Sequence, residues 1–327
     1  MPTTRPSAKP GNVGKSGKSG KSGKPGRPGK PVKDGAGPGP LVSAAWLSEH
    51  LADPDVRLVH VSPARRVYNK RHIAGATYSD LHKELALKGT APETGDAERE
   101  WLLPSREETE RLLRAWRVGD GDRIVFLDDV GQNRQAIRGY WLLRLYRFPA
   151  DRLHVLDGGI EAWRRQGGDT TGELPEADLA DALRKPITLA ERDDSLIATF
   201  DEVLGWSREA AKPGGPTRIL DVRTAAEWVG TDLRAKRGGH IPGARQRCFV
   251  DLLTDEGTFR PVDEMVSLVR ASGADPEALR ATYCQGGVRA ALVWFVLHEL
   301  AGFTDVRSYA GSWEEWGNRA DSPIETP

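Results

Sequence analysis

The feature that most constrains the fold is an internal repeat, because the second half of the chain follows the order of the first. Residues 158–163 and 311–316 share the pattern Gly-x-x-Glu-x-Trp at an offset of 153 positions. A second pair, His-Ile-Ala-Gly-Ala at 72–76 and His-Ile-Pro-Gly-Ala at 240–244, recurs at a larger offset. Similarity on this scale indicates two copies of one domain.

Within each copy, short apolar runs alternate with amphipathic stretches, which is typical of parallel strands joined by helices. The fold class is therefore predicted to be α/β, with a parallel sheet flanked by helices in each copy. The copies are expected at 41–168 and 187–321, with a linker at 169–186. The predicted strands are 56–61, 123–127, 153–156, 219–222, 280–283 and 306–309, and the predicted helices are 107–116, 138–147, 262–272 and 290–301.

The first 40 residues differ in composition from the rest and are rich in Gly, Ser, Pro and Lys. Such a segment buries too little apolar surface to offset its conformational entropy, so we predict a disordered basic tail over 1–40. The tail holds nine basic residues and one acidic residue, which leaves the body with a net charge of −8. A negatively charged body is not typical of a nucleic-acid binder, so nucleic acid is expected to meet at most the tail, and weakly.

Cysteine usage and hydropathy limit the compartment and the cofactors. The two cysteines cannot form a disulfide framework, which favours a reducing compartment. No secretory signal or membrane-spanning run is evident, so we expect a cytoplasmic protein without membrane contact. The two cysteines lie far apart and the seven histidines are scattered, so no metal ion or cofactor is expected.

The candidate nucleophile is Cys284, which follows a predicted strand and precedes Gly286, Gly287 and a predicted helix. The free N–H groups at a helix start stabilise a negative sulfur, and glycines let the backbone curve round it. Arg289 adds a positive charge for a thiolate or an anionic donor. We therefore expect an ionised, reachable thiol. The alternative is a buried cysteine that only fills space.

Four motifs in the second copy resemble the tandem-domain rhodanese family of thiosulfate and 3-mercaptopyruvate sulfurtransferases. The motifs are Leu-Asp-Val-Arg with Glu-Trp at 220–228, Gly-His-Ile-Pro-Gly-Ala at 239–244, Tyr-Cys-Gln-Gly-Gly-Val-Arg-Ala at 283–290 and Tyr-Ala-Gly-Ser-Trp-Glu-Glu-Trp at 309–316. The resemblance covers residues 41–321 and implies two rhodanese-like domains. It also implies that Cys284 carries sulfane sulfur as a persulfide from a small-molecule donor to a thiophilic acceptor such as cyanide or a thiol.

The resemblance implies roles for residues around Cys284. Asp221 and His240 are expected to hold loops rather than touch substrate. Thiosulfate is favoured as the donor because Arg289 suits a dianion, and 3-mercaptopyruvate is the second candidate. The implied substrate-binding residues are Arg223, Arg289, Gln285, Gly286, Gly287 and Val288.

The first copy lacks the sulfur carrier, since the offset of 153 places Gly131 opposite Cys284. Arg134 and Arg138 are candidates for lending side chains to a cleft between the copies, although a structural or solvated role is favoured for each. Cys248 is expected to pack rather than to act as a resolving thiol.

Two other functions are weighed against sulfur transfer. Cysteine-loop phosphatases of this fold need five residues between cysteine and arginine, whereas four separate Cys284 from Arg289. A non-enzymatic binding module remains the alternative if no donor loads Cys284. The physiological donor and acceptor, the oligomeric state and the purpose of the tail are not predicted.

Overall fold

The computed structural model describes residues 1, 38–90, 98–175 and 185–327. Residues 2–37 of the predicted disordered tail and residues 176–184 of the predicted linker therefore lie outside the described residues. The described chain forms two parallel sheets, one from each half, which confirms the predicted α/β class. No helix within the described residues combines the length and the apolarity needed to cross a membrane.

The first half contains a five-stranded parallel sheet and a separate antiparallel hairpin. Its strands are β1 (Leu41–Val42), β2 (Val56–Ser62), β3 (Thr77–Asp80), β4 (Leu87–Thr90), β5 (Glu98–Leu102), β6 (Arg123–Asp128) and β7 (Leu153–Leu156). Its α-helices are α1 (Ala44–His50), α2 (Arg65–Lys70), α3 (Arg106–Ala115), α4 (Arg134–Leu145) and α5 (Gly159–Arg165). The sheet order is β1-β7-β6-β2-β3, while β4 and β5 pair only with each other.

The second half contains a four-stranded parallel sheet in the order β11-β10-β8-β9. Its strands are β8 (Ile219–Asp221), β9 (Arg245–Gln246), β10 (Ala281–Tyr283) and β11 (Arg307–Ser308). Its α-helices are α6 (Phe200–Ala210), α7 (Ala225–Trp228), α8 (Val262–Ala271), α9 (Val288–Trp294) and α10 (Ser312–Trp316), and a π-helical segment, Phe295–Leu300, continues α9.

The predicted strands agree with the structure to within one residue at each end. The helix predicted at 138–147 instead begins at Arg134, because Asn133 adopts a left-handed conformation with φ of 57° and starts the helix earlier. The β4–β5 hairpin was not predicted. Its sequences are mostly polar and lack the alternation that marks a half-buried strand.

The two halves share one hydrophobic core, and α4 packs against α9 and its π-helical continuation. The rings of Tyr140 and Phe295 meet edge to face with centroids 5.0 Å apart. Arg144 donates to Glu299 across the same boundary, with a 3.1 Å Nε–Oε1 distance. Because α4 and α9 follow the central strands β6 and β10, this packing brings the loop before each helix to the boundary between the halves.

Candidate active site

Cys284 lies directly after β10, in the short turn that leads into α9. Gly287 precedes the helix with φ of 84°, a conformation that side chains other than glycine rarely adopt. Its N–H donates to Cys284 Sγ at 3.1 Å. The backbone N–H of Cys284 donates to Ser312 Oγ at 3.2 Å, and its carbonyl accepts the N–H of Trp313 at 2.9 Å. These backbone hydrogen bonds therefore fix the position of Cys284 in the turn.

The expectation of a reachable thiol is wrong for this conformation, because Cys284 is only 1% exposed. A side chain from the first half of the chain packs directly on the loop that follows Cys284. The ring of Trp101, on β5, lies so close to Gly286 that any added Cβ would overlap it. Trp101 also lines a cavity of about 630 Å³ together with Ala310 and Gly311. The tryptophan thus contacts both the cysteine loop and a space open to solvent.

Cys284 is part of the buried hydrophobic core, and three arginines also interact electrostatically with its sulfur. Burial lowers the pKa of Arg134 and lowers that of Arg138 to about 10, while a negative charge on Cys284 acts to raise both. The Cys284 charge acts in the same direction on Arg289. Two of these cations belong to α4 of the first half, so the electrostatic environment of the sulfur is built by both halves.

Arg289 is near the sulfur, but its guanidinium is held by Glu227. Its Nη1 and Nη2 donate to the two carboxylate oxygens at 2.6 and 2.7 Å. Burial opposes the charge on Arg289, but the hydrogen bonds and the negative charges around it raise its pKa. Burial likewise opposes the Glu227 charge, yet the Arg289 partner lowers its pKa to about 2. Arg289 therefore supplies positive charge from a fixed position.

Arg223, predicted to bind the donor, is engaged by other residues of its own half in the structure. Its side chain is buried, and Nε and Nη2 bond the carboxylate of Asp221 at 2.6 to 3.0 Å. Nη2 also donates to the Gly239 carbonyl at 2.8 Å, and the guanidinium lies over the Trp313 ring. The sequence shows that the motif contains Arg223, but it cannot show that the carboxylate of Asp221, two residues away, forms an ion pair with it.

Among the other residues predicted to bind substrate, one contacts the sulfur and the rest hold the cysteine loop and the start of α9 in place. Gly287 supplies the amide that contacts Sγ. Gln285 turns its side chain to the Arg234 carbonyl, at 2.9 Å from Nε2, and so fixes the loop instead. Gly286 provides the flat surface against Trp101, and the buried Val288 begins α9.

His240 and Cys248 occupy supporting positions, as the sequence predicted. The His240 ring stacks on Trp228 with centroids 3.4 Å apart, and its Nδ1 lies 3.1 Å from the Trp228 carbonyl. Cys248 is half-buried against the core, and burial raises the pKa of its thiol. No group of three or more His, Cys, Asp and Glu side chains among the described residues is arranged to hold a metal ion.

The corresponding loop of the first half carries carboxylates instead of a thiol. Asn133 takes the left-handed position before α4 that Gly287 takes before α9, so Val130 rather than Gly131 stands opposite Cys284. In that loop Ser62 Oγ donates to Asp129 Oδ2 at 2.6 Å. This half cannot carry sulfur on its own loop.

Comparison with known proteins identifies the family. The rhodanese-like domain model matches residues 43–166 and 205–319, which is most of the chain. The chain belongs to the rhodanese-like family. Among its relatives, a thiosulfate sulfurtransferase of Corynebacterium glutamicum is 34% identical over 300 residues, covering 89% of this chain and 92% of the relative. A sulfur carrier protein, TtuD, of Thermus thermophilus is 29% identical and covers 88% of this chain and 97% of the relative.

Solved structures show the same rhodanese-like arrangement at lower sequence identity. The crystal structure of YnjE superposes with a TM-score of 0.71 at 22% identity, covering 88% of this chain and 68% of the other. Wild-type EanB superposes with a TM-score of 0.67 at 23% identity, covering 88% of this chain and 69% of the other. These likenesses support the rhodanese-like fold with its two related domains.

Proposed function

We propose that this rhodanese-like protein is a sulfurtransferase that carries sulfane sulfur on Cys284 from an anionic donor to a thiophilic acceptor. The observation that carries the proposal is a single thiol, bonded by the Gly287 amide and surrounded by the charges of Arg134, Arg138 and Arg289. A thiolate is the nucleophilic form of cysteine, and cations with oriented N–H donors stabilise it. The thiosulfate sulfurtransferase among its relatives agrees with this assignment.

In the first half-reaction, the Cys284 thiolate attacks the outer sulfur of thiosulfate. A bond forms between Sγ and that sulfur, and the bond to the sulfonate sulfur breaks. Its electron pair leaves with sulfite, so the enzyme becomes an anionic persulfide and total charge is conserved. The loop amide of Gly287 stays with Sγ throughout, because it is fixed by the left-handed turn.

In the second half-reaction, a nucleophile such as cyanide attacks the terminal sulfur of the persulfide. The bond between the two sulfurs breaks and its electron pair returns to Sγ, which regenerates the thiolate and releases thiocyanate. Because the enzyme alternates between two covalent states, the two substrates are expected to show ping-pong kinetics.

Both half-reactions require the site to open, since Cys284 is 1% exposed, and Trp101, which lies against Gly286, is the side chain that we infer to move. The cavity beside Trp101 is the space into which donor and acceptor would enter. Conformational opening of this kind precedes chemistry in many enzymes with covered sites.

Steady-state rates with thiosulfate and with 3-mercaptopyruvate, using cyanide as the common acceptor, test the proposal and rank the donors. Cys284→Ser is expected to abolish turnover without a change in melting temperature, while Cys248→Ser, the matched control, retains it. Turnover by Cys284→Ser would contradict the persulfide scheme. Hydrolysis of p-nitrophenyl phosphate would favour the phosphatase alternative, which the engagement of both Arg289 Nη atoms by Glu227 opposes.

The cytoplasmic location inferred from cysteine usage is part of this proposal. Within the described residues both cysteines are free thiols, as the persulfide scheme requires of Cys284. Fractionation of cells followed by detection of the protein in the cytoplasmic fraction tests it.

A further inference from the structure

The half that lacks a catalytic cysteine places a buried arginine beside the sulfur. Arg138, on α4, is 0% exposed. Its Nε donates to the Leu85 carbonyl at 3.0 Å and its Nη2 to the Trp101 carbonyl at 3.1 Å. Its Nη1 is buried and has no hydrogen-bond partner among the described residues. Burying a donor of a charged group without an acceptor costs free energy, so this unmet N–H requires an explanation.

The unmet N–H faces the cysteine loop. A Cβ built on Gly287 would lie 3.0 Å from Arg138 Nη1, and the N–H of the same glycine bonds Cys284 Sγ. The absence of a side chain at Gly287 therefore lets Nη1 approach the backbone of the cysteine loop. A negative Cys284 interacts favourably with Arg138.

The other two arginines near the sulfur are more fully engaged. Both Nη atoms of Arg289 bond Glu227. Arg134 is partly exposed, and its Nη1 donates to Gln132 Oε1 at 2.6 Å. Arg138 differs from them because a buried donor of its guanidinium is directed at the loop and remains available.

We propose that Arg138 is a catalytic residue supplied by the first half, whose Nη1 donates a hydrogen bond to the terminal sulfur of the Cys284 persulfide. This inference rests on the proposed function, and it assigns one hydrogen-bond donor to each of the two sulfur atoms of the persulfide. The Gly287 amide holds Sγ, and Arg138 holds the atom that gains the negative charge when sulfite leaves. In the first half-reaction the same N–H meets the donor sulfur as it transfers. The first half therefore contributes directly to the chemistry.

The equilibrium between persulfide and thiolate measures this contact. Protein loaded with inorganic polysulfide and then desalted is titrated with sulfite, and the remaining Cys284 persulfide is quantified by mass spectrometry. Loss of one charge-assisted hydrogen bond is expected to lower the sulfite needed for half-unloading by about 10- to 100-fold in Arg138→Gln. Arg138→Lys, which keeps the charge but not the planar geometry, is expected to fall between Arg138→Gln and the wild type.

Arg144→Gln is the matched control, since Arg144 lies on the same helix and crosses the same boundary but bonds Glu299. The sulfite concentration that removes half of the persulfide from Arg144→Gln is expected to equal that of the wild type. A folded Arg138→Gln variant with an unchanged half-unloading point would overturn the proposal. We choose an equilibrium measurement because Arg138→Gln also loosens Trp101. A looser Trp101 changes the rate at which reagents reach Cys284, but it does not change the relative stability of the persulfide and the thiolate.

If the Arg138 variants do not fold, a crystal structure of polysulfide-loaded wild-type protein decides the matter. The terminal sulfur is expected about 3.5 Å from Arg138 Nη1, at hydrogen-bond range for sulfur. A terminal sulfur directed away from Nη1 would refute the assignment. The sulfite titration is the reverse of the thiosulfate reaction, so it depends on the proposed donor. The crystal structure of polysulfide-loaded protein does not, because failure of thiosulfate to react would contradict the proposed function and still leave the Arg138 contact observable.

Discussion

Substitution of Gly286 by alanine is predicted to expose Cys284 by displacing Trp101. An added Cβ would lie 2.5 Å from Trp101 Cδ2, whereas carbon atoms in contact are about 3.5 to 4.0 Å apart. The overlap of more than about 1 Å requires the ring to move. No left-handed φ constrains Gly286, so alanine is compatible with its backbone.

The size of the effect follows from the strain of overpacking, about 1 to 3 kcal/mol. This strain is present only while Trp101 covers the loop, so it shifts the balance toward the uncovered state by about 5- to 150-fold. When opening and closing are faster than the reaction, the rate of modification is proportional to the open population. Iodoacetamide should therefore alkylate Cys284 faster by about that factor.

The assay follows alkylation of the Cys284 peptide by mass spectrometry, which separates it from Cys248. Gly205→Ala is the matched control, because Gly205 lies in α6 with no atom within 4 Å of an added Cβ. In a Trp101→Ala background, Gly286→Ala should add little, since the overlapping ring is gone. A folded Gly286→Ala protein that reacts at the wild-type rate would refute the role of Trp101 as the cover.

Three further predictions concern buried charges. Arg223→Ala should destabilise the fold by about 3 to 5 kcal/mol in urea denaturation, because Asp221 is left buried without its partner; a stable variant with weakened thiosulfate binding would restore the donor-binding role. The pKa of Glu227 is depressed to about 2, so its pairing should stabilise the protein above about pH 4.5 and be lost as the pH falls toward 2. Melting temperatures across this range should depend less on pH in Glu227→Gln, and identical profiles would contradict the ion pair. Burial raises the pKa of Asp128 to about 6, so its ionisation should cost stability as the pH rises from about 4 to 6. Asp128→Asn should therefore melt higher than the wild type at pH 7 and equally at about pH 3, and a lower melting temperature at pH 7 would argue against this cost.

Much of the fold could be predicted because it depends on local patterns. The apolar runs that form β2 and β6 are long enough and apolar enough to be recognised without knowledge of their neighbours. Cys284 was recognised because its glycines and the following helix are adjacent in the chain. The β4–β5 hairpin escaped recognition, since its strands are stabilised by their contacts with the second half rather than by an apolar pattern of their own. The ion pair of Arg99 with Glu314 at 3.0 Å is one such contact.

The parts of the candidate site that escaped prediction depend on contacts between distant residues. Trp101 packs on the cysteine loop from the other half, at a separation that no local motif records, while Arg138 was named from the sequence with a structural role favoured. The position of Arg223 in a family motif suggests a substrate contact, whereas in the structure its hydrogen bonds go to Asp221. The sequence thus places Cys284 in the turn before α9, but it does not show which of the nearby cations already have partners.

The pairing of α4 with α9 means that the half without a thiol cannot be discarded after duplication. A shortened chain holding only the second half would retain Cys284 and Gly287 yet lose the ring that shields the sulfur and the guanidinium beside it. An added side chain at Gly286 is accommodated only if Trp101 moves, and at Gly287 the left-handed backbone itself disfavours any other residue. Two separate stretches of sequence thus form a single packed unit, so a substitution in one of them is felt in the other.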